Sequence, residues 1–121
     1  MKIFLDTCIL IEVMRKRLRL EGETNDYFVN SIVYGELAYG FENMGKDLSE
    51  LDMYLESRQI ILLSIEATTG KIYVKLKVSL KNKPVADNDL LVASSCLEYD
   101  LKLWTLNKKH FSMIKGLKLY L

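Results

Sequence analysis

The sequence predicts an α/β domain of three layers, with a largely parallel central sheet flanked by helices. Three observations predict it. Short apolar runs of strand length alternate along the chain with segments of helical periodicity. The run Ile60-Ile61-Leu62-Leu63 is continuous rather than alternating, as in a sheet strand covered on both faces. The length of 121 residues suits one hydrophobic core and leaves little room for a second, so residues 1–121 are expected to form a single domain.

Each element has its own signal. Lys2–Leu5 reads as a short strand that stops at Asp6-Thr7. From Cys8 to about Lys16, Leu10, Val13, Met14 and Arg17 recur at helical spacing. Arg15–Arg19 with Glu21–Asp26 forms a charged connector. Tyr27–Asn30 is a brief strand, and Ser31 is expected to cap a helix over Ile32–Glu42. Leu48, Leu51 and Leu55 predict an amphipathic helix over Lys46–Ser57. Gln59–Ser64 is the next strand, and Ile65, Thr69, Ile72, Leu76 and Leu80 form a long helical stripe. Pro84 marks a local break, after which Asn88–Tyr99 reads as a packed helix. Leu101–Leu106 and Leu117–Leu121 are the last strands, with a short turn or helix around Lys108–Met113 between them. The chain shows no internal repeat and no low-complexity linker.

Half of the residues are apolar and 27% are charged, which excludes wholesale disorder. The 17 basic and 16 acidic residues give a net charge of +1, so nucleic acid would not be held by bulk charge alone. Near-neutrality hides an asymmetry, because residues 101–121 hold five lysines and no acid. Cys8 and Cys96, with a single histidine, make neither a disulfide framework nor a zinc site, and both read as small buried residues. No apolar run approaches the roughly 18 residues needed to span a bilayer, and Asp6 follows the N-terminus too closely for a signal peptide. A soluble, cytoplasmic protein is expected.

Most acids lie in polar connectors, but Asp6, Glu36, Asp87 and Asp89 are embedded in or abut apolar segments. Taken singly, each has a plain structural explanation. Asp6 is an N-cap, Glu36 lies on an exposed helix face, and Asp87 or Asp89 caps the helix it opens. Taken together they suggest more, because parallel α/β folds collect chemistry outside the carboxyl ends of their strands. Carboxylates gathered there repel unless a cation neutralises them. Oxygen ligands without His or Cys select Mg²⁺ or Mn²⁺, the ions suited to phosphodiester hydrolysis.

The order of the motifs resembles the PIN-domain ribonucleases, and most closely the VapC-type toxins of toxin–antitoxin pairs. The resemblance runs through Phe4-Leu5-Asp6-Thr7-Cys8-Ile9-Leu10-Ile11 and Ser31-Ile32-Val33-Tyr34-Gly35-Glu36-Leu37-Ala38-Tyr39-Gly40. It continues through Asp87-Asn88-Asp89-Leu90-Leu91-Val92-Ala93 and Leu103-Trp104-Thr105-Leu106-Asn107 to Phe111 and Gly116-Leu117. It implies a three-layer PIN-like fold in which Asp6, Glu36 and Asp89 are catalytic, metal-binding carboxylates for Mg²⁺ or Mn²⁺. Asp87 would be a supporting acid or the helix cap. Thr7, Thr105 and Asn107 would support the site. Two positions depart from the family pattern. Cys8 replaces the usual Asn, which would remove a polar contact to Asp6. The usual fourth acid is missing, since Asn107 and His110 occupy its two customary positions.

The resemblance further implies an endoribonuclease acting on RNA such as tRNA or rRNA, a small VapB-like antitoxin that neutralises it, and a homodimer. The alternative is a catalytically weak or inactive PIN-like module that binds RNA or protein. Lys108, Lys109, Arg15 and Arg17 are candidate RNA contacts, although each read singly is a solvated surface residue. His110 reads as an exposed residue of a lysine-rich turn, and Tyr34, Tyr39 and Tyr73 as packing residues. A phosphoacceptor receiver domain is a poor fit, because its acid would follow the third strand, where this chain has Ser64-Ile65-Glu66.

Overall fold

Lys2–Leu5 (β1) is the strand around which the others assemble, and Ile3, Phe4 and Leu5 have no exposed surface. A strand with all its side chains buried must be covered on both faces, which puts β1 in the interior of a sheet. Burying each of these side chains contributes about 2 kcal/mol. The computed structural model describes residues 1–83 and 85–121. The break expected at Pro84 lies outside the described residues.

The elements follow in alternating order. After β1 come Thr7–Met14 (α1), Asp26–Asn30 (β2), Ser31–Asn43 (α2), Leu48–Ser57 (α3) and Ile61–Leu63 (β3). Ala67–Ser79 (α4) and Asp87–Glu98 (α5) then pack on each other before Lys102–Trp104 (β4) and Lys108–Phe111 (α6). All three strand pairings are parallel, and the sheet order is β3-β2-β1-β4. The chain therefore adds β2 and β3 on one side of β1, then crosses α4 and α5 to add β4 on the other. The order reverses between β1 and β4, and open parallel sheets bind ligands at the carboxyl ends of strands at such a point. The order also differs from the 2-1-3-4-5 arrangement of receiver-like sheets.

The α/β three-layer expectation agrees with this architecture, but several local expectations do not. The strand at Ile61–Leu63 is an edge strand paired only with β2, and Ile61 and Leu62 are each nearly half exposed. Only its flank, Ile60, is fully packed. The strand with both faces covered is β1. The last strand expected over Leu117–Leu121 shrinks to a single parallel bridge between Leu119 and Leu103, entered through Gly116 at a positive φ of 86°. Strand β4 likewise stops at Trp104 rather than Leu106. Ser31 does not cap α2. The preceding Asn30 does so, its Oδ1 accepting from Ile32 N and Val33 N at 3.1 Å.

Asn30 has no exposed surface, and it also joins two layers. Its amide donates to Ser95 Oγ at 2.9 Å and to Leu91 O at 3.3 Å on α5. One buried side chain thereby satisfies the start of α2 and ties it to α5. A second tie joins α4 to α5, where Thr69, also fully buried, donates to Glu98 Oε1 at 2.6 Å. Asn30→Ala removes the cap and strands Ser95, so a loss of about 2–3 kcal/mol is expected. Urea denaturation of the variant beside the wild type measures it, and a loss below about 0.5 kcal/mol, the scatter of plain surface changes, would contradict this role.

Candidate metal centre

Asp6 is the first residue past β1 and Thr105 the first past β4, so the two flank the reversal in strand order. The register sets them side by side: Leu5 pairs with Trp104, and Asp6 N donates to Trp104 O at 3.0 Å. Both are buried, with Asp6 at 9% and Thr105 at 1% exposure. A carboxylate so placed is costly unless its oxygens find donors. Thr7 N donates to Asp6 Oδ1 at 2.9 Å and Thr105 Oγ1 to Oδ2 at 2.7 Å. The Thr7 contact is the helix cap of α1, so the carboxylate held by Thr105 is also the cap of that helix. Thr105 is itself fixed, since its hydroxyl accepts from Asn107 N at 3.0 Å.

Glu36 reaches the same place from α2. It is exposed, and its Oε1 accepts from the Thr7 hydroxyl at 2.7 Å, which links it to the turn that carries Asp6. Asp89 comes from the first turn of α5, a helix that opens at this edge of the sheet and feeds β4. The Asp89 carboxyl is pushed above its usual value, first by burial and then by the negative charge of Asp6; His110 partly offsets this and Glu36 adds to it. The helix N-terminus favours an acid here, but burial and like charge prevail. Asp89 therefore lies within electrostatic reach of both Asp6 and Glu36. Among the described residues, no three Asp, Glu, His or Cys side chains close tightly enough to cage a metal ion by themselves.

The remaining candidates divide. Thr7 and Thr105 are in contact with the acids, while Asn107 is exposed and contributes its backbone N–H. Lys108 and Lys109 are exposed on α6, the helix that also carries His110. Arg15 and Arg17 lie past the far end of α1, about 12 Å along its axis from Thr7, and Arg17 pairs with Glu12 at 3.6 Å. Asp87 is not the cap of α5, which falls on Ala86. Its carboxylate instead accepts from Lys77 at 3.1 Å and Tyr73 at 2.9 Å, both on α4.

Four features differ from the sequence expectation. Cys8 does not leave Asp6 without a polar neighbour. Its thiol lies 3.7 Å from Asp6 Oδ2 and 3.8 Å from Thr105 Oγ1, and accepts from Leu106 N at 3.5 Å. Cys8 is only half-buried, unlike Cys96, and burial is the first cause holding both thiols above their usual pKa. Tyr39 does not pack: it is 74% exposed beside Glu36, in a shallow groove of about 430 Å³ lined also by Ser31, Ile32, Gly35 and Asn88. His110 is not a freely solvated turn residue. Its Nε2 is buried and lies 3.6 Å from Asp89 Oδ2. A larger cavity of about 1060 Å³ lies near the start of β2 and contains none of the candidate acids.

A four-stranded parallel sheet flanked on both faces by helices is a three-layer PIN-like fold. The PIN domain family model matches residues 3–117, and the chain belongs to that family. It is 35% identical to Ribonuclease VapC1 of Methanocaldococcus jannaschii, over 98% of this chain and 87% of that protein. It is 33% identical to Ribonuclease VapC2 of Rickettsia felis, over 93% of this chain and 92% of that protein. Among solved structures it is similar to VapBC2 from Rickettsia felis bound to a DNA fragment from their promoter, with a TM-score of 0.85 and 29% identity, covering 99% of this chain and 98% of that one.

The raised pKa of Asp89 has a consequence for stability. Folding lifts this group above its ordinary value of 3.8, so its favourable contribution is complete below that pH and is lost as pH rises through the elevated native value. At neutral pH the ionised group opposes folding. Asp89→Asn is therefore expected to raise the Tm of the metal-free protein at pH 7, with the gain shrinking as pH falls towards 3.8. Thermal unfolding of both proteins across that range checks it, and an equal or lower Tm for the variant at pH 7 would contradict the electrostatic account.

Proposed function

We propose that this chain is a divalent-metal-dependent endoribonuclease that acts as the toxin of a toxin–antitoxin pair, with Asp6, Glu36 and Asp89 as its catalytic, metal-binding residues. The observation that carries the proposal is the gathering of these three carboxylates at the reversal point of the sheet, where Asp89 bears the repulsion of the other two. The names of the relatives, ribonucleases VapC, support the reaction class. The structural neighbours, solved as VapBC complexes, support a small VapB-like protein as the neutralising partner.

The donor set suits Mg²⁺ or Mn²⁺. All three acids offer hard oxygen donors, and an ion such as Mg²⁺ keeps several waters of its own and takes only one or two carboxylates directly. A divalent ion bound there supplies an activated water and neutralises charge on the scissile phosphodiester. The chain's residues do the rest. Thr105 and the Thr7 N–H fix the plane of the Asp6 carboxylate, and the Thr7 hydroxyl orients Glu36. Lys108 and Lys109, exposed on α6, offer cations to the flanking phosphates of an RNA such as tRNA or rRNA. Arg15 and Arg17 fit that role less well, being a helix length away. A homodimer is consistent with the family resemblance. No helix among the described residues is long and apolar enough to cross a membrane, which fits a cytoplasmic site of action.

One observation favours a second reading. Neither Asn107 nor His110 supplies the customary fourth acid, as expected of a PIN-like module that binds RNA or protein without cutting it. Cleavage of structured RNA separates the two. With Mg²⁺ or Mn²⁺ present, the wild type is expected to cut, and Asp6→Asn or Glu36→Gln to cut at least about 100-fold more slowly. Chelation should abolish cutting and also weaken RNA binding, because the bare acids repel phosphate. Metal-independent RNA binding without cleavage would establish the module reading instead.

A further inference from the structure

We propose that His110 is a nitrogen ligand of the ion held by the acidic cluster, and that it makes this centre prefer Mn²⁺ to Mg²⁺. The proposal rests on the metal-binding reading of Asp6, Glu36 and Asp89 given above. Its starting point is a buried atom whose polar neighbour is one of the acids, at ion-pair rather than hydrogen-bond distance. His110 Nε2 is buried and has no hydrogen-bond partner, a state that costs about 1–3 kcal/mol. The carboxylate oxygen it faces, Asp89 Oδ2, is 3.6 Å away, which is too long for a hydrogen bond. Adjacent ligands of a six-coordinate ion at about 2.1 Å stand about 3 Å apart. The observed separation is thus close to that of two donors sharing a cation.

The ring is aimed by its surroundings. The next residue, Phe111, has no exposed surface and anchors α6 in the core, as Ile114 does the turn after it. The two rings meet edge to face at 6.2 Å, and Phe111 N donates to Asn107 O at 3.3 Å. His110 is therefore delivered by an anchored turn that begins just past Thr105, the residue holding Asp6. It stands at one of the two positions, with Asn107, where the family pattern places an acid.

Replacing an oxygen donor by an imidazole changes which ion the site favours. Mg²⁺ binds oxygen almost exclusively and gives up its waters reluctantly. Imidazole suits transition metals, whereas carboxylates suit Mg²⁺ and Mn²⁺ alike. One or two carboxylates with one imidazole, the rest of the shell being water, therefore favour Mn²⁺ when these two ions compete.

Pulsed electron paramagnetic resonance on the Mn²⁺-loaded, tag-free protein tests this without an activity assay. His110 is the only histidine in the chain, so an imidazole ¹⁴N coupling to bound Mn²⁺ can come from no other residue. The wild type is expected to show that coupling, and His110→Ala and His110→Gln to lack it. The Mn²⁺ dissociation constant should rise about tenfold or more in both variants, while that for Mg²⁺ changes less than about twofold. Mn²⁺ bound to the wild type without ¹⁴N coupling, and lost in Asp6→Asn, would overturn the role of His110 while leaving the acidic site intact. Mn²⁺ bound equally well by wild type and Asp6→Asn would overturn the metal-binding reading of the cluster itself.

Discussion

A carboxylate buried at the end of the central strand must be given donors by the fold, and the arrangement around Asp6 follows from that requirement. The donors come from two directions. Thr7 N–H is supplied by the start of α1, and the Thr105 hydroxyl by the end of β4. The second contact exists only because β4 pairs with β1 in the register that sets Trp104 opposite Leu5. A slip of one residue would turn Thr105 to the other face of the sheet and leave the carboxylate short of a partner. The strand order thus has a chemical outcome: it puts the reversal between β1 and β4 where the buried acid sits.

The other acids arrive on elements whose positions are fixed by a buried polar contact a few residues from each acid. Asn30 caps α2 and binds α5 through Ser95 and Leu91, so the helices carrying Glu36 and Asp89 are held together by one buried amide. That tie works against the repulsion between their carboxylates. The protein accepts a local electrostatic cost at Asp89, and an ordered polar contact a few residues away maintains it. Sites built for a cation commonly show this pattern, in which the apoprotein carries strain that binding relieves.

Much of this was legible in the sequence. The alternation of strand and helix, the short apolar strand at Lys2–Leu5 and the four acids Asp6, Glu36, Asp87 and Asp89 beside apolar segments all follow from periodicity and position. What was hidden depends on tertiary neighbours. A run such as Ile60–Leu63 reads as a covered strand, yet nothing in it reveals that β3 has a partner on one side only. Asn30 and Ser31 are both good caps, and the choice between them is made by Ser95, 65 residues away. Tyr39 lies at helical spacing but on a face that no other element covers. The lysines beside His110 read as solvated, and they are, but the buried Phe111 on its other side turns the imidazole inward. The resemblance to PIN-domain ribonucleases named Asp6, Glu36 and Asp89 as a set, which spacing alone leaves as separate caps and surface acids.

The central claim is that these three carboxylates share a divalent ion at the end of the sheet. Crystals soaked in Mn²⁺ and measured with anomalous scattering test it most directly, since manganese is located independently of any assay. The account predicts an anomalous peak within coordination distance of Asp6, with Glu36 and Asp89 bound directly or through one water. A crystal with no peak at Asp6, or with its peak elsewhere on the molecule, would contradict it.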